Sequence, residues 1–272
     1  MILYVISVGL SVTMGLMGFV NLAHGVFAMA GGFVLSTAMG RLGVPFPLAL
    51  ALAFVLVSLG SVVLERLLYS RLYAEGELAQ VLFCIGLIFV SMAIARLLYG
   101  DRAVPVFLPD YLRGQVHVLG RDFPTYRVFL ICFSALLIFL LWFGVERTRW
   151  GAMVRAAVDN RAMAQSIGIN TRLLFMATFA LGSGLAGLGG ALGADILPVL
   201  WSYPFEHLVY FLIVVAVGGL GSLRGPFIAA LLIGVADTAC KYWIPAFGAF
   251  LVYAATIAIL LWRPQGLFGV RA

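Results

Sequence analysis

Charged residues are scarce in this 272-residue sequence, in which 17 Lys+Arg and 11 Asp+Glu make up 10% of the chain and 64% is hydrophobic. Because a soluble domain has about a quarter charged residues, so few charges could not cover a soluble globule of this size. The mean hydropathy of +1.12 indicates the same. This excludes an ordinary soluble enzyme and a disordered chain, and nucleic acid is not an expected partner. The composition predicts an all-α polytopic membrane protein.

Residues for catalysis or metal binding are also sparse. The three cysteines, Cys84, Cys132 and Cys240, lie in apolar runs without CxxC spacing, which offers neither a disulfide framework nor a metal site. The sole lysine, Lys241, follows Cys240, so the chain has no Walker A motif and is not its own conventional ATPase. No GxSxG or HExxH motif occurs. We therefore expect no catalytic residue, no metal and no cofactor in this chain.

Long apolar runs fill most of the sequence. A helix crosses the bilayer core with about 20 mostly apolar residues, so the runs predict about eight or nine spans. The predicted spans are 2–19, 22–40, 47–64, 79–99, 128–145, 171–194, 206–220, 225–242 and 247–263. The run 206–220 is short for a complete crossing. The first run has neither a basic segment before it nor an evident cleavage site, so we expect a span rather than a signal peptide.

Arginine is concentrated in one connection between spans. The segment 146–172 carries Arg147, Arg149, Arg155, Arg161 and Arg172, whereas 195–206 has neither Lys nor Arg. By the positive-inside rule, 146–172 and the C-terminus are predicted to lie in the cytoplasm. Counting back through the spans places 100–127 and the N-terminus outside. The chain, 1–272, is then a single transmembrane domain with a cytoplasmic loop at 146–172 and an external loop at 100–127.

The run Asn21-Leu-Ala-His24-Gly25 places two strongly polar side chains on one helical face, ahead of the first charged residue, Arg41. Polar groups at membrane depth are costly and usually face a cavity or a partner. Asn21, His24 and Gly25 are therefore candidates for a substrate pathway. Alternatively, the two polar side chains satisfy helix ends at the membrane interface.

Small residues recur at every fourth position in two of the predicted spans. One row is Ala28, Gly32, Ser36 and Gly40, and the other is Gly182, Ala186, Gly190 and Ala194. Such rows allow helix backbones to approach closely, and packing rather than hydrophobicity drives helix association in lipid. The rows predict either plain helix packing, through Gly32, Gly182, Ala186 and Gly190 in particular, or a pathway helix that moves along its neighbour.

The segment from Arg149 to Ile169 is too polar to cross the bilayer. It is long enough for a helix of about five turns, and its apolar residues, Trp150, Met153, Val154, Ala157, Val158, Ala164 and Ile167, gather on one side. Arg155 and Asp159 are four residues apart and could pair, and Gly168 predicts a helix end. The segment is either an amphipathic helix on the bilayer surface or a docking helix for a cytoplasmic partner.

Four blocks follow one another along the chain. They are Asn21-Leu-Ala-His-Gly25, Gly151-x3-Arg155-Ala-x3-Asn160-x3-Ala164-x3-Gly168-Ile169, Gly218-Gly-Leu-Gly-Ser-x2-Gly225-Pro226 and Arg263-Pro-x-Gly-Leu-Phe-Gly269. Together they resemble the permease subunit of bacterial branched-chain amino acid ABC importers, whose relatives also carry urea and short amides. The resemblance spans nearly the whole chain.

The resemblance implies a multi-pass subunit in the lipid bilayer of the bacterial inner membrane. Its implied partners are a second related permease subunit, two cytoplasmic ATPases that bind ATP and Mg, and a periplasmic substrate-binding protein. The second block resembles the loop that seats on an ATPase, which implies contacts by Gly151, Arg155, Ala156, Asp159, Asn160, Ala164 and Gly168.

The residues themselves leave several transport functions open. An apolar pathway with few fixed charges suits a zwitterionic or neutral solute with an apolar side chain. Branched-chain or other hydrophobic amino acids are thus the expected substrates, with urea and short amides as alternatives. A secondary transporter would normally need buried carboxylates or cation sites, and Asp and Glu are nearly absent within the predicted spans. A passive channel for small neutral solutes is the third possibility.

Overall fold

The computed structural model describes residues 1–17, 19, 21–73, 75–106, 108–118, 121–219, 221, 224–243 and 248–269. Its α-helices are α1 Ile2–Met17, α2 His24–Gly40, α3 Phe46–Leu64, α4 Ser70–Leu72, α5 Glu77–Tyr99, α6 Thr125–Arg147, α7 Arg149–Asp159, α8 Arg161–Ser166, α9 Thr171–Gly193, α10 Tyr203–Gly218, α11 Arg224–Trp243 and α12 Gly248–Trp262. A π-helical turn, Glu65–Tyr69, joins α3 to α4. The strands β1 Gln115–Val118 and β2 Arg121–Pro124 form an antiparallel hairpin.

The predicted all-α membrane fold is confirmed, and each predicted span corresponds to an observed helix. Within the described ranges, four helical stretches have both the length and the apolar composition to cross a membrane: Phe46–Leu72, Glu77–Tyr99, Thr125–Arg147 and Thr171–Gly193. The apolar helices α2 and α10 are shorter. The expectation of a short helix near 206–220 is therefore confirmed, although α10 already begins at Tyr203.

Helix α9 lies at the centre of the bundle, packed against α1, α2 and α3. Every residue from Gly182 to Gly193 is buried, and Ala186 has no exposed surface. A Cβ atom on Gly182 would lie 2.9 Å from the carbonyl oxygen of Gly9 in α1. The small residues of α9 therefore let the backbones of neighbouring helices approach it directly, as expected for helices that associate by packing.

The two rows of small residues meet where α2 crosses α9. A Cβ atom on Gly190 would overlap the carbonyl oxygen of Ala28, which belongs to the other row. Further along α2, a Cβ atom on Gly32 would lie 2.5 Å from Cγ2 of Val199, in the connection that follows α9. At Gly40 the Cβ position has nothing within 4 Å. Close packing thus extends over only part of the α2 row.

Connections predicted to share one side of the membrane lie at the same end of the bundle. The Val104 amide in the predicted external loop donates to the Val199 carbonyl at 3.2 Å. At the opposite end, Arg224 forms an ion pair with Glu146 at 3.0 Å. Two predicted spans, 171–194 and 206–220, separate Arg224 from the segment 146–172, so the same count predicts that both lie on the cytoplasmic side. Connections that the charge pattern assigns to the same side of the membrane therefore lie at the same end of the bundle. Which end faces the cytoplasm stays a prediction.

The polar segment from Arg149 to Ile169 forms two helices, α7 and α8. The prediction of one continuous helix of about five turns is therefore wrong. Asn160 separates α7 from α8 because its backbone is extended, with φ −152° and ψ 98°. Its side-chain oxygen accepts a hydrogen bond from the Met163 amide at 2.9 Å, the geometry of an N-cap. After α8, Gly168 adopts a φ of +90°, which glycine tolerates and which ends the helical path.

The break between α7 and α8 also changes which side chains are buried. Val154, Ala157 and Ala164 pack against the first turns of α9. Met153 and Ile167, predicted on the same apolar side, are instead 38% and 68% exposed. For Ile167, the prediction assumed the angular spacing of a single helix, and that spacing is not maintained across the extended Asn160. Met153 lies within α7 itself, at the edge of its buried face.

We expect Gly190→Leu to lower strongly the yield of folded permease, because the new side chain would have to displace the α2 backbone at Ala28. Overfilling a packed core costs about 1–3 kcal/mol even where side chains can adjust. The yield of monodisperse protein in detergent and its unfolding temperature measure the effect. The control is Gly86→Leu in α5, where a Cβ atom meets nothing within 4 Å. A wild-type yield and unfolding temperature for Gly190→Leu would contradict the close crossing.

Candidate functional site

The candidate site is the break between α1 and α2. Helix α1 ends at Met17 and α2 begins at His24, yet the His24 ring lies beside the Ile6 carbonyl in the first half of α1. Helix α2 therefore begins inside the bundle rather than at the far end of α1. This places the polar run of the sequence among packed helices and away from lipid.

The two polar side chains of the break are fully buried and have partners in the chain. His24 Nε2–H donates to the Ile6 carbonyl oxygen at 2.9 Å. The Tyr69 hydroxyl, from the π-helical turn, donates to Asn21 Oδ1 at 3.2 Å. Both Asn21 and His24 are 0% exposed. They anchor the break to α1 and to the π-helical turn, and their part in moving a solute stays a prediction.

Each of these side chains has a second polar atom that lacks a hydrogen-bond partner within the described part of the chain. The atoms are Asn21 Nδ2 and His24 Nδ1, and the same holds for the hydroxyls of Ser7, Ser183 and Tyr203. Buried polar atoms are nearly always paired, and one left unpaired costs about 1–3 kcal/mol. Such atoms are retained where water or a solute supplies the missing partner, so they favour a polar lining for a pathway.

The helices that carry these atoms meet around the break, with glycine at each close contact. A Cβ atom on Gly9 of α1 would overlap the Gly182 carbonyl of α9 and lie 3.2 Å from Cε1 of His24. A Cβ atom on Gly25 would lie 3.0 Å from Cα of Pro204, in the first turn of α10. The break therefore joins α1, α2, α9 and α10, and the predicted pathway residues lie together at that junction.

Aromatic rings pack beside the polar atoms of the break. The Phe179 ring lies 4.7 Å from the Tyr69 ring and 5.7 Å from the Phe27 ring, measured between centroids. Phe19 lies 5.1 Å from Tyr69. Tyr69 and Phe179 were not predicted from the sequence, since both lie far along the chain from Asn21 and have no motif of their own.

A cavity with an apolar lining lies away from the break, between α3, α6 and α9. Its volume is about 500 Å³ and its lining includes Leu50, Phe129, Phe133 and Leu188. Apart from the Tyr111 hydroxyl, its lining side chains offer no hydrogen-bonding group. Because a small polar solute needs a few placed polar groups to be oriented, the break is the better candidate for a solute pathway.

The predicted ATPase-contact residues differ in the surface that they face. A Cβ atom on Gly151 would overlap the Val145 carbonyl, and Ala164 is 2% exposed, so both hold the α7–α8 segment against its own bundle. Asn160 is exposed and caps α8. Arg155 is exposed too, and its guanidinium donates to the Val145 carbonyl.

The remaining contact candidates add little surface of their own. Ala156 is half-buried, and Gly168 is exposed at the end of α8. The Asp159 side chain lies outside the described residues, so its predicted pairing with Arg155 stays a prediction. Met163, which is 65% exposed on α8, was not predicted as a contact residue, because the apolar residues of the segment were assigned to the buried side of a single helix.

A model of the protein family described as "Branched-chain amino acid transport system / permease component" matches residues 1–260. BraD of Pseudomonas aeruginosa, a high-affinity branched-chain amino acid transport system permease protein, is 27% identical over 287 residues, covering 97% of this chain and 90% of the relative. LivH of Escherichia coli K12, which bears the same description, is 26% identical over 281 residues with the same coverage.

LivM of Escherichia coli K12, another permease protein described for high-affinity branched-chain amino acid transport, is also similar. It is 24% identical over 293 residues, covering 98% of this chain and 68% of the relative. No solved structure matches the chain.

We expect Asn21→Leu to lower transport more than Tyr69→Phe does. Both substitutions remove the hydrogen bond between these side chains, but only the first removes the free Nδ2 donor. One lost hydrogen bond of about 1 kcal/mol corresponds to a roughly fivefold difference. Solute uptake per assembled complex measures the effect. An equal loss of transport in the two variants would show that Asn21 has only a structural role.

Proposed function

Because the chain belongs to the family of branched-chain amino acid transport permeases, we propose that it is the transmembrane permease subunit of an ATP-driven importer of branched-chain or other hydrophobic amino acids. The observation that carries this proposal is the buried junction of α1, α2, α9 and α10. It combines unpaired polar atoms with neighbouring aromatic rings and has no charged side chain among the residues named at it. We propose that this junction lies on the route of the solute.

The lining suits an amino acid with an apolar side chain. Asn21 Nδ2 and His24 Nδ1 offer polar contacts, while Phe27 and Phe179 offer apolar surface. Urea or a short amide would use the polar atoms without the aromatic ones. Competition by leucine, isoleucine and urea for uptake of labelled leucine distinguishes these substrates.

The proposed assembly contains several chains. The similarity to both LivH and LivM, two permease proteins of one organism, supports a second related permease beside this one. The absence of a Walker A motif supports separate ATPase subunits, which would bind the ATP and Mg. We place the complex in the bacterial inner membrane, with a periplasmic binding protein on the side of the β-hairpin.

We propose that α7 and α8 face the cytoplasm and seat on an ATPase. Exposed Met163 and Ile167 provide an apolar contact surface on and just after α8. On the opposite side, Val154 and Ala164 pack against the first turns of α9. Since α9 also contacts α1 and α2 at the break, a displacement of the docking segment would reach the solute route through one helix.

We expect leucine uptake by the reconstituted complex to require ATP. The initial rate of uptake is measured in proteoliposomes that contain ATP, after binding protein and labelled leucine are added outside. A non-hydrolysable ATP analogue inside the proteoliposomes is the control. Uptake that follows an ion gradient without ATP would indicate a secondary transporter. Equilibration of leucine without any energy source would indicate a channel.

We expect Met163→Glu to weaken the association of the permease with its ATPase while leaving the permease folded. The side chain is exposed, so the substitution adds charge to the docking surface without disturbing the core. Co-purification of the ATPase and the ATP hydrolysis rate measure the effect. The matched control is Tyr111→Glu, which alters a 62% exposed side chain at the opposite end of the bundle. Full co-purification with Met163→Glu, or equal loss with the control, would contradict the docking surface.

A further inference from the structure

A small cavity opens at the end of the bundle that carries α7 and α8. It has a volume of about 180 Å³ and is lined by Glu65, Ser70, Tyr73, Arg172 and Phe175. The π-helical turn forms one wall and the start of α9 forms the other. A neighbouring cavity of about 190 Å³ shares Arg172 and adds Arg66.

The carboxylate of Glu65 is the unusual group in this cavity. Glu65 is 2% exposed, and the Tyr73 hydroxyl donates to its Oε1 at 3.2 Å. Arg172 and Arg66 are its electrostatic neighbours. Yet no ion pair within 4.0 Å joins Glu65 to a guanidinium in the described ranges of the chain. A buried carboxylate without a direct cationic partner is costly, so a cation that enters the cavity would be stabilised there.

Arg172 supplies the opposite charge across the same cavity. It lies in the first turn of α9 and is exposed, so its guanidinium is free to reach an anionic group that enters from outside. Guanidinium and carboxylate groups form short, charge-assisted hydrogen bonds. Phe175, one turn further along α9, is buried and adds an apolar wall. The cavity is thus lined by a carboxylate that can bind a cation, a guanidinium that can bind an anion, and the aromatic ring of Phe175.

The cavity is adjacent to the break between α1 and α2. The π-helical turn that begins with the buried Glu65 ends with Tyr69, the hydrogen-bond partner of Asn21. Tyr73, which contacts Glu65, packs edge-on against Phe19 with ring centroids 5.7 Å apart. π-Helical turns are rare and occur frequently at functional sites. A ligand in the cavity would therefore touch the same turn that holds the break.

We propose that this cavity binds a free amino acid from the cytoplasm, with the α-ammonium group on Glu65, the α-carboxylate on Arg172 and the apolar side chain against Phe175. The proposal rests on the proposed function, which supplies the substrate class and the orientation. A zwitterion matches two opposite charges that share a cavity without pairing directly. Bound there, the imported amino acid would stabilise the π-helical turn and the start of α9 and slow further import.

Equilibrium binding of labelled L-leucine to the assembled complex, without binding protein, tests the site directly. We expect Glu65→Gln and Arg172→Gln each to weaken binding about tenfold or more, because each removes a charge-assisted contact. Glu75→Gln and Arg71→Gln, which change exposed residues near the cavity, should bind as the wild type does. Leucinol, which lacks the carboxylate, and 4-methylpentanoate, which lacks the amine, should compete poorly.

Two binding results would overturn the proposal. Equal leucine binding by the wild type and both cavity variants would show that the cavity is not the site. Inorganic phosphate that displaces leucine, together with unchanged binding by Glu65→Gln, would indicate an anion site formed by the arginines alone. Arg172 is exposed, so Arg172→Gln keeps the test informative even if the substitution of buried Glu65 impairs folding.

Transport separates this proposal from the proposed function. In proteoliposomes, the ratio of initial leucine uptake with and without unlabelled leucine inside is measured for each variant. We expect internal leucine to slow uptake by the wild type and by both control variants. The cavity variants should need about tenfold more internal leucine for the same inhibition. If internal leucine slows ATP-driven uptake equally in all variants, the proposed binding of leucine in the cavity is wrong, and the proposed function is unaffected. Absence of ATP-driven leucine uptake would overturn the proposed function, and the binding measurement would still decide the cavity.

Discussion

Direct backbone contact between α9 and its neighbours holds this bundle together, because lipid supplies no hydrophobic drive that would press helices against one another. The contacts leave no room for a side chain: a Cβ atom on Gly31 would overlap the Gly187 carbonyl, and one on Gly9 would overlap the Gly182 carbonyl. With α1 and α2 both fixed on α9, the start of α2 lies beside Ile6. The buried break, and the polar atoms around it, follow from that packing.

Hydropathy and spacing predicted much of this arrangement. The apolar runs predicted each of the long helices, and the four-residue rows contain the pair of positions, Ala28 and Gly190, at which α2 and α9 cross. The polar run at Asn21 and His24 was predicted to face a cavity or a partner because polar groups at membrane depth are costly, and both side chains are buried. These successes share one cause. Each depends on a property that a short stretch of sequence contains, either its mean polarity or its repeat.

The features that were not predicted depend on contacts or on single residues. The predicted span 47–64 stopped before the charged residues Glu65 and Arg66, whereas the helical path continues to Leu72 and the buried Glu65 carboxylate accepts a hydrogen bond from Tyr73. The contact of Tyr69 with Asn21 joins distant parts of the chain. The capping asparagine at 160 was a local signal, and the apolar periodicity across it concealed the interruption.

The same packing constrains how motion can pass through the molecule. Closely packed interiors transmit displacement rather than absorb it, and at Gly182 and Gly190 helix α9 meets the backbones of Gly9 and Ala28, which no side-chain rotation can move aside. A movement of α7 and α8 against Leu174 and Phe175 would therefore be passed on to α9. Its far half would then shift against the α1 and α2 backbones and the α3 side chains that touch it. The Ser183 hydroxyl and the His24 ring would then change neighbours together, and a concerted change of this kind is what the proposed solute route needs in order to open to one side of the membrane at a time.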